Sequence, residues 1–185
     1  MKNPFKTFDN FFINLINKQL RNKYFDFLFY HITNLGGALS LVSLTGILVI
    51  FMRGKYRQLG FKMATTLVFS AIIVQILKRI FTRNRPYWIL ENLNTFGIDL
   101  RDYSFPSGHS AASFSVAVII ALNFKGLAFI AIFLAVLIAL SRIYLAVHYP
   151  TDVAAGIIIG IVSSFIVQYR LYPFISMLIK NKIGG

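Results

Sequence analysis

Arg142, His148 and Asp152 stand between two apolar runs, Gly126 to Leu140 and Val153 to Val167, with five and then three residues separating them. Ionisable side chains beside segments of near-membrane length are costly, so they usually mark a site. Two other stretches carry the same kind of signal. Lys78-Arg79-Ile80-Phe81-Thr82-Arg83-Asn84-Arg85-Pro86 sets Lys78 and Arg85 seven residues apart, about two helical turns and therefore one face. Pro106-Ser107-Gly108-His109 reads as a helix start with a hydroxyl, a glycine and an imidazole, and the free backbone N–H groups of such a start can receive a phosphate.

A lysine, two arginines, a hydroxyl and helix N-terminal amides describe a pocket for a multiply charged oxyanion. Arginine supplies planar bidentate contacts and lysine a compact charge. Two histidines and an aspartate add the parts of a transfer reaction. A neutral imidazole attacks phosphorus when a carboxylate holds its other N–H. Asp152 is four residues after His148, one helical turn, with Pro150 between them. A second, protonated imidazole gives its proton to the departing oxygen. Phosphoryl transfer needs positioning and charge stabilisation above all, and this set of residues supplies both.

Plainer readings stand beside these. Lys78 to Arg85 could be an ordinary basic membrane flank, Pro106-Ser107-Gly108 a helix cap, and His148 a packed core residue. Lys78 and Arg85 fall on the side expected to be poor in basic residues, which favours a pocket for these two and leaves Arg79 and Arg83 open. His31 stands alone and reads as structural or headgroup-facing. Gly156 and Gly160, four apart, suit close helix packing. Gln75 could bond a neighbouring helix, and Tyr87 and Trp88 suit interface anchors.

The elements that must position these residues follow from composition. The chain of 185 residues is 57% apolar with a mean hydropathy of +0.68, values that fit an all-α polytopic membrane protein in one domain. The runs lack the alternation of barrel strands. With no cysteine there is no disulfide or thiolate site. The Met1 end lacks a signal-peptide pattern, so no processing is expected. Phe8, Phe11, Phe12, Leu15, Ile16 and Leu20 recur at helical spacing, with Asp9, Asn10, Asn14, Asn17 and Lys18 between them. Residues 1–21 are therefore expected to form an amphipathic interfacial helix, and residues 22–185 a six-transmembrane-helix bundle. Its spans are Tyr24 to Leu35 (the weakest, at twelve residues), Ala38 to Met52, Lys62 to Phe81, Ser107 to Phe124, Gly126 to Val147 and Thr151 to Val167.

Net charge is +13, but the basic residues lie in short loops, which fits topology signals and anionic headgroups rather than nucleic acid. With six spans, Lys2, Lys6, Lys18, Arg21, Lys23, Arg53, Lys55, Arg57, Lys62, Lys125, Arg170, Lys180 and Lys182 share one side. The positive-inside rule puts that side in the cytoplasm and the motif loops on the extracytoplasmic face.

Lys78-(six residues)-Arg85-Pro86, Pro106-Ser107-Gly108-His109 and Ser141-Arg142-(five residues)-His148-(three residues)-Asp152 resemble, complete and in order, the three signature motifs of the type 2 phosphatidic acid phosphatase superfamily. The resemblance covers roughly residues 60 to 165. It implies His148 as the nucleophile forming a phosphohistidine, Asp152 as its partner and His109 as proton donor to the leaving group. Lys78, Arg85, Ser107, Gly108 and Arg142 would hold the phosphoryl oxygens, without metal or cofactor. It further implies a small bacterial cell (inner) membrane enzyme whose substrate is a lipid phosphate or diphosphate. Undecaprenyl diphosphate comes first, then phosphatidylglycerophosphate or phosphatidic acid. A non-enzymatic lipid-phosphate binding or transport protein is the alternative class; it would be expected to have lost a motif residue, and none is missing. Vanadate-dependent haloperoxidases have a similar oxyanion pocket but are soluble, unlike a chain with spans this apolar.

Overall fold

The structure, a computed structural model, describes residues 4–183, with side chains for residues 5–178. Lys2 and the side chains of Lys180 and Lys182 lie outside those ranges. All regular structure among the described residues is helical, as the apolar runs predict. Helix α1 is Pro4–Asn14, continued by a π turn at Leu15–Gln19. Then come α2 (Lys23–Ile32, followed by a 3-10 turn at Thr33–Gly36), α3 (Ala38–Phe51), α4 (Gly54–Phe81), the short α5 (Pro86–Ile89), α6 (Gly108–Asn123), α7 (Ala128–Tyr144), α8 (Pro150–Ile166) and α9 (Tyr172–Ile183).

The helix ends that matter are set locally. Thr82 takes a left-handed conformation (φ 39°) and its N–H closes on the Lys78 carbonyl at 3.1 Å, which stops α4 just after Lys78. Ser107 caps α6, its Oγ accepting from the Ser110 N–H at 3.4 Å. Pro150 opens α8 at the position where a missing N–H costs nothing, and the Asp152 carboxylate accepts the Tyr149 N–H at 2.8 Å. The C-termini of α4 and α7 and the N-termini of α6 and α8 thus gather at one end of the bundle.

Helix α6 is the centre, packed against α4, α7 and α8. Gly156 and Gly160 set its distance from α8. A Cβ on Gly156 would stand 2.5 Å from the Ser107 carbonyl, and one on Gly160 2.5 Å from the Ala111 carbonyl. Only small residues allow this approach, as their spacing predicts. The gain is positional: the Ser107 N–H reaches the Asp152 carbonyl at 3.0 Å, so the starts of α6 and α8 are tied together.

Length and composition alone do not confirm six crossings among the described residues. By length and composition, Gly54–Ile89, Lys125–Tyr144 and Pro150–Leu178 are long enough to span a membrane, and Gly108–Asn123 is a shorter apolar helix. Segments Lys23–Gly36 and Ala38–Phe51 pass only as a pair bent by 49°. Both ends of α2 are tied to the same end of α7. Tyr144 Oη donates to Asp26 Oδ1 at 2.6 Å near the start of α2, and Arg142 donates to Thr33 Oγ1 at 2.7 Å just past its end. Among the described residues the helices long and apolar enough to cross number three, or four with the bent pair taken as one span, besides the shorter Gly108–Asn123.

The N-terminal helix also turns out differently. The expected polar side faces inward: Asp9, Ile13 and Asn17, at i, i+4 and i+8, are buried, while Phe5, Phe8 and Phe11 are exposed. Asn17 donates to the Tyr144 carbonyl at 2.6 Å, at the end of the bundle where the motifs gather. Lys6, Lys18, Arg21 and Lys23 consequently sit at the motif end and not opposite it. The physical reason is that lipid does not drive apolar side chains inward as water does, so the aromatic face can look outward while polar groups find partners inside.

Candidate active site

Lys78 and Arg85 converge although α4 ends at Phe81 and Arg85 lies in extended chain beyond it, so a shared helix face is not the reason, and both are buried, at 5% and 1% exposure. Lys78 Nζ donates to Asp102 Oδ2 at 2.6 Å and to the Tyr103 carbonyl at 2.5 Å. Arg85 uses its whole fork: Nε to the Asp102 carbonyl at 2.8 Å, one terminal nitrogen to Asp102 Oδ1 at 2.6 Å, the other to the Val147 carbonyl at 2.7 Å. That last nitrogen also lies 3.3 Å from His148 Nε2. Asp102, from the loop before α6, thus occupies positions on these two cations that oxyanion oxygens would take. Burial raises its pKa, but the hydrogen bond and charge of Lys78, then of Arg85, outweigh that and hold it at about 2.

Arg142 comes from the last turn of α7 and is also buried. One guanidinium nitrogen is satisfied by Thr33, while its Nε has no hydrogen-bond partner. A buried unpartnered N–H on a cation is rare in a finished structure and signals a site for an acceptor.

His148 lies in the tight turn between α7 and α8. Ala146 takes a positive φ of 53°, and the N–H groups of Val147 and His148 both close on the Arg142 carbonyl at 3.2 Å. The His148 Nδ1 lies 2.7 Å from the Ser104 carbonyl. With Nδ1–H donating there, Nε2 keeps its lone pair on the side of Arg85. Burial first, then the charges of Arg142, Arg85 and Lys78, push the His148 pKa well below 6.5, so the ring is neutral at neutral pH.

Asp152 is not where the spacing puts it. Its Oδ2 is 3.8 Å from His148 Nδ1, beyond hydrogen-bond length, because the Ser104 carbonyl has taken that proton. The carboxylate instead accepts from Ser104 Oγ, from the Tyr149 N–H and, at 2.5 Å, from Arg83. It orients the group that orients the histidine. Arg83, left open by sequence, is a bridge: it also donates to Asp9 Oδ2 at 2.6 Å and lies over the Tyr149 ring, 4.0 Å from its centroid. Arg79 is exposed. Gln75 is exposed as well, and no neighbouring helix takes its side chain among the described residues.

Ser107 does act as a cap, and its Oγ also accepts from Ser110 Oγ at 2.9 Å. The imidazole of His109 makes no hydrogen bond among the described residues and lies within electrostatic reach of Arg142, His148, Arg85 and Lys78. His109, Gly108 and Asp102 line a cavity of about 490 Å³ whose other walls are mostly apolar, among them Leu41 and Val42 of α3 and Leu67 and Val74 of α4, with Ser70 and Gln75 the polar exceptions. His31 is exposed, its ring against those of Phe27 and Tyr30.

Sequence reasoning missed Ser104, Asp102, Thr33 and Asp9. Ser104 holds the histidine through a backbone carbonyl, which any residue would carry, and Thr33 and Asp9 lie more than forty residues upstream of every motif. The lone Ser104 before Pro106 offered no signal; an acid four residues before it, Asp102, offered a weak one.

Comparison with known proteins places this geometry. The profile of the family described as the PAP2 superfamily matches residues 59–175. An undecaprenyl-diphosphatase of Sulfolobus acidocaldarius is 31% identical over 126 residues, 68% of this chain and 60% of that protein. Phosphatidylglycerophosphatase B of Bacillus subtilis is 33% identical over 154 residues, 74% of this chain and 70% of that protein. The crystal structure of Aquifex aeolicus LpxE superposes with a TM-score of 0.76 and 32% identity, covering 86% of this chain and 94% of that one. The first curated relatives are longer proteins, of which the matched stretches cover 46% to 60%.

Proposed function

The chain belongs to the PAP2 superfamily, and from that premise we propose that it hydrolyses the terminal phosphate of a membrane lipid through a phosphohistidine on His148. The observation that carries this is the His148 ring itself. Its Nδ1 lies 2.7 Å from the Ser104 carbonyl and its Nε2 faces a pocket of buried cations. In the first step Nε2 forms a bond to phosphorus as the bond to the leaving oxygen breaks, and His109 gives that oxygen its proton. In the second, water attacks phosphorus, His109 takes the water's proton, and the N–P bond breaks to release orthophosphate. Lys78, Arg85 and Arg142, with the Ser107 hydroxyl and the amides at Gly108, hold the non-bridging oxygens. Asp102 yields its places on Lys78 and Arg85 to the substrate.

A lipid fits because the cavity ending at His109 is walled by apolar residues of α3 and α4, so a chain held between helices leaves its phosphate at the pocket. Undecaprenyl diphosphate is the substrate we put first and phosphatidylglycerophosphate second, supported by relatives named for each reaction. We further propose a bacterial inner-membrane setting with the site on the extracytoplasmic face. Residues 1–21 would lie along the bilayer surface, docked on the domain of residues 22–185. The support for that face is the opposite end: Arg53, Lys55, Arg57, Lys62, Lys125 and Arg170 flank the spans there with no acid among them. The N-terminal lysines no longer contribute to this argument.

Phosphate release from purified protein in detergent, on a panel of lipid phosphates and diphosphates, tests the reading. Release that survives chelators and is blocked by vanadate supports it. A folded protein that releases phosphate from none of the panel sinks it, and a non-enzymatic lipid-phosphate carrier becomes the better description. A topology reporter placed in the 87–105 loop tests the face, and a cytoplasmic signal would overturn that part.

A further inference from the structure

No step of the hydrolysis uses Asp9, yet its carboxylate is fully buried and accepts three hydrogen bonds. Arg83 donates at 2.6 Å, the Thr151 N–H at 3.0 Å and Thr151 Oγ1 at 2.6 Å. We propose that Asp9 is a positioning residue for the phosphoryl transfer: through Arg83, Asp152 and Ser104 it fixes the ring of His148. The inference rests on the reading of His148 as nucleophile.

The links are continuous. Arg83 spreads its guanidinium between Asp9 Oδ2 and Asp152 Oδ1, at 2.6 and 2.5 Å. The other oxygen of Asp152 receives Ser104 Oγ, and the Ser104 N–H donates to the Arg83 carbonyl at 2.8 Å. The carbonyl of that same Ser104 meets His148 Nδ1. Arg83 is therefore anchored on both sides of its side chain and once through its backbone, and Ser104 is held by both Asp152 and Arg83. Removing the Asp9 charge leaves Arg83 with one carboxylate and its 2.7 Å bond to Thr151 Oγ1, whose own partner Asp9 is altered too, so the guanidinium loosens over the Tyr149 ring and shifts Asp152 and Ser104 with it. Misplacing a reacting atom by about 1 Å costs on the order of 100-fold in rate, so a partial shift suffices to be seen. Asp9 reaches the site only because α1 docks by its polar stripe, with Ile13 buried beside it and Phe8 and Phe11 outward.

The test is steady-state kinetics on full-length Asp9→Asn protein, with thermal unfolding recorded alongside. Because Asp9 touches no substrate, kcat is expected to fall about tenfold with KM unchanged. The same substitution in an Arg83→Gln background is expected to cost nothing more. Should Asp9→Asn fail to fold, Asp9→Glu, which keeps the charge but shifts it by one methylene, carries the same split between kcat and KM with a smaller loss. Unchanged kcat in a folded variant, or an equal loss in the Arg83→Gln background, overturns the inference while leaving the phosphatase reading intact. Wild-type protein that turns over no lipid phosphate removes that reading and the inference with it.

Discussion

Towards the cavity, Lys78, Arg85 and Arg142 set three cations around one half-exposed carboxylate, Asp102; behind the histidine, two buried carboxylates, Asp9 and Asp152, share the single guanidinium of Arg83. The front has positive charge in surplus and an unpartnered N–H on Arg142. The back has a surplus of negative charge and hydrogen-bond donors on both oxygens of each carboxylate. One cluster is built to receive an anion, the other to hold its own geometry. His148 sits between them: burial and the front cations keep its ring neutral, and the Ser104 carbonyl, held by the back cluster, sets the ring's orientation. In the proposed reaction the front cations would then meet the charge developing on the phosphoryl oxygens, from groups already fixed in place.

The hardest way to break this contrast is to remove what lies between. His148→Ala is expected to lower turnover by about 10⁴- to 10⁶-fold and to abolish an acid-labile phosphoprotein trapped with labelled substrate. Residual turnover close to wild type would move the nucleophile elsewhere. Next in size, His109→Ala is expected to cost about 10²- to 10⁴-fold, most for alcohol leaving groups and least for phosphate or nitrophenolate. An equal loss across leaving groups would remove His109 from the proton-donor role. Arg142→Ala is expected to cost about 10²- to 10³-fold in kcat/KM and to weaken vanadate inhibition in parallel. Arg142→Lys restores only part, since a point charge does not reproduce the fork. Full rescue by lysine would mean that Arg142 contributes charge alone.

The front cluster was legible in the sequence and the back was not, for physical reasons. Lys78, His109 and Arg142 come from helix ends and Arg85 from the segment just past one, so chain order brings them to a shared end. The back depends on contacts that spacing does not encode. Asp152 looked like the partner of His148 at one turn, but a backbone carbonyl from Ser104 intervenes at 2.7 Å. Asp9 was visible as one side of an amphipathic helix, yet periodicity separates two faces without saying which faces inward. In water the aromatic face would be buried; beside lipid, the polar stripe is. The same ambiguity bears on the first expected span. Tyr24 to Leu35 is apolar enough to suggest a crossing, whereas its bonds to Tyr144 and Arg142 keep both its ends at one end of α7.

The smallest expected effect bears on the one carboxylate at the front. Asp102→Asn removes the charge that Lys78 and Arg85 now share, so inorganic phosphate and vanadate no longer compete with it. Inhibition constants for both are expected to fall several-fold, with kcat changed by less than tenfold. Weaker inhibition in the variant would mean that Asp102 braces the two cations rather than competing for them. Acid provides a second reading of the same group. The Asp102 pKa in the folded protein, about 2, lies below its ordinary 3.8. Its ion pairs therefore contribute stability above about pH 4, and that contribution is lost as pH falls towards 2. The side chain is 53% exposed, so solvent screens the effect and keeps it small. Wild-type unfolding in detergent is accordingly expected to steepen slightly between pH 4 and pH 2, and the Asp102→Asn protein to lack that component. His148 acts in a different window. Its folded pKa is depressed, so the unfolded chain takes up a proton below about pH 6.5 that the folded chain refuses, and stability falls from there downward in both proteins. A difference between wild type and Asp102→Asn that begins near pH 6.5 instead of pH 4 would place the coupling on His148 and contradict the assignment to Asp102.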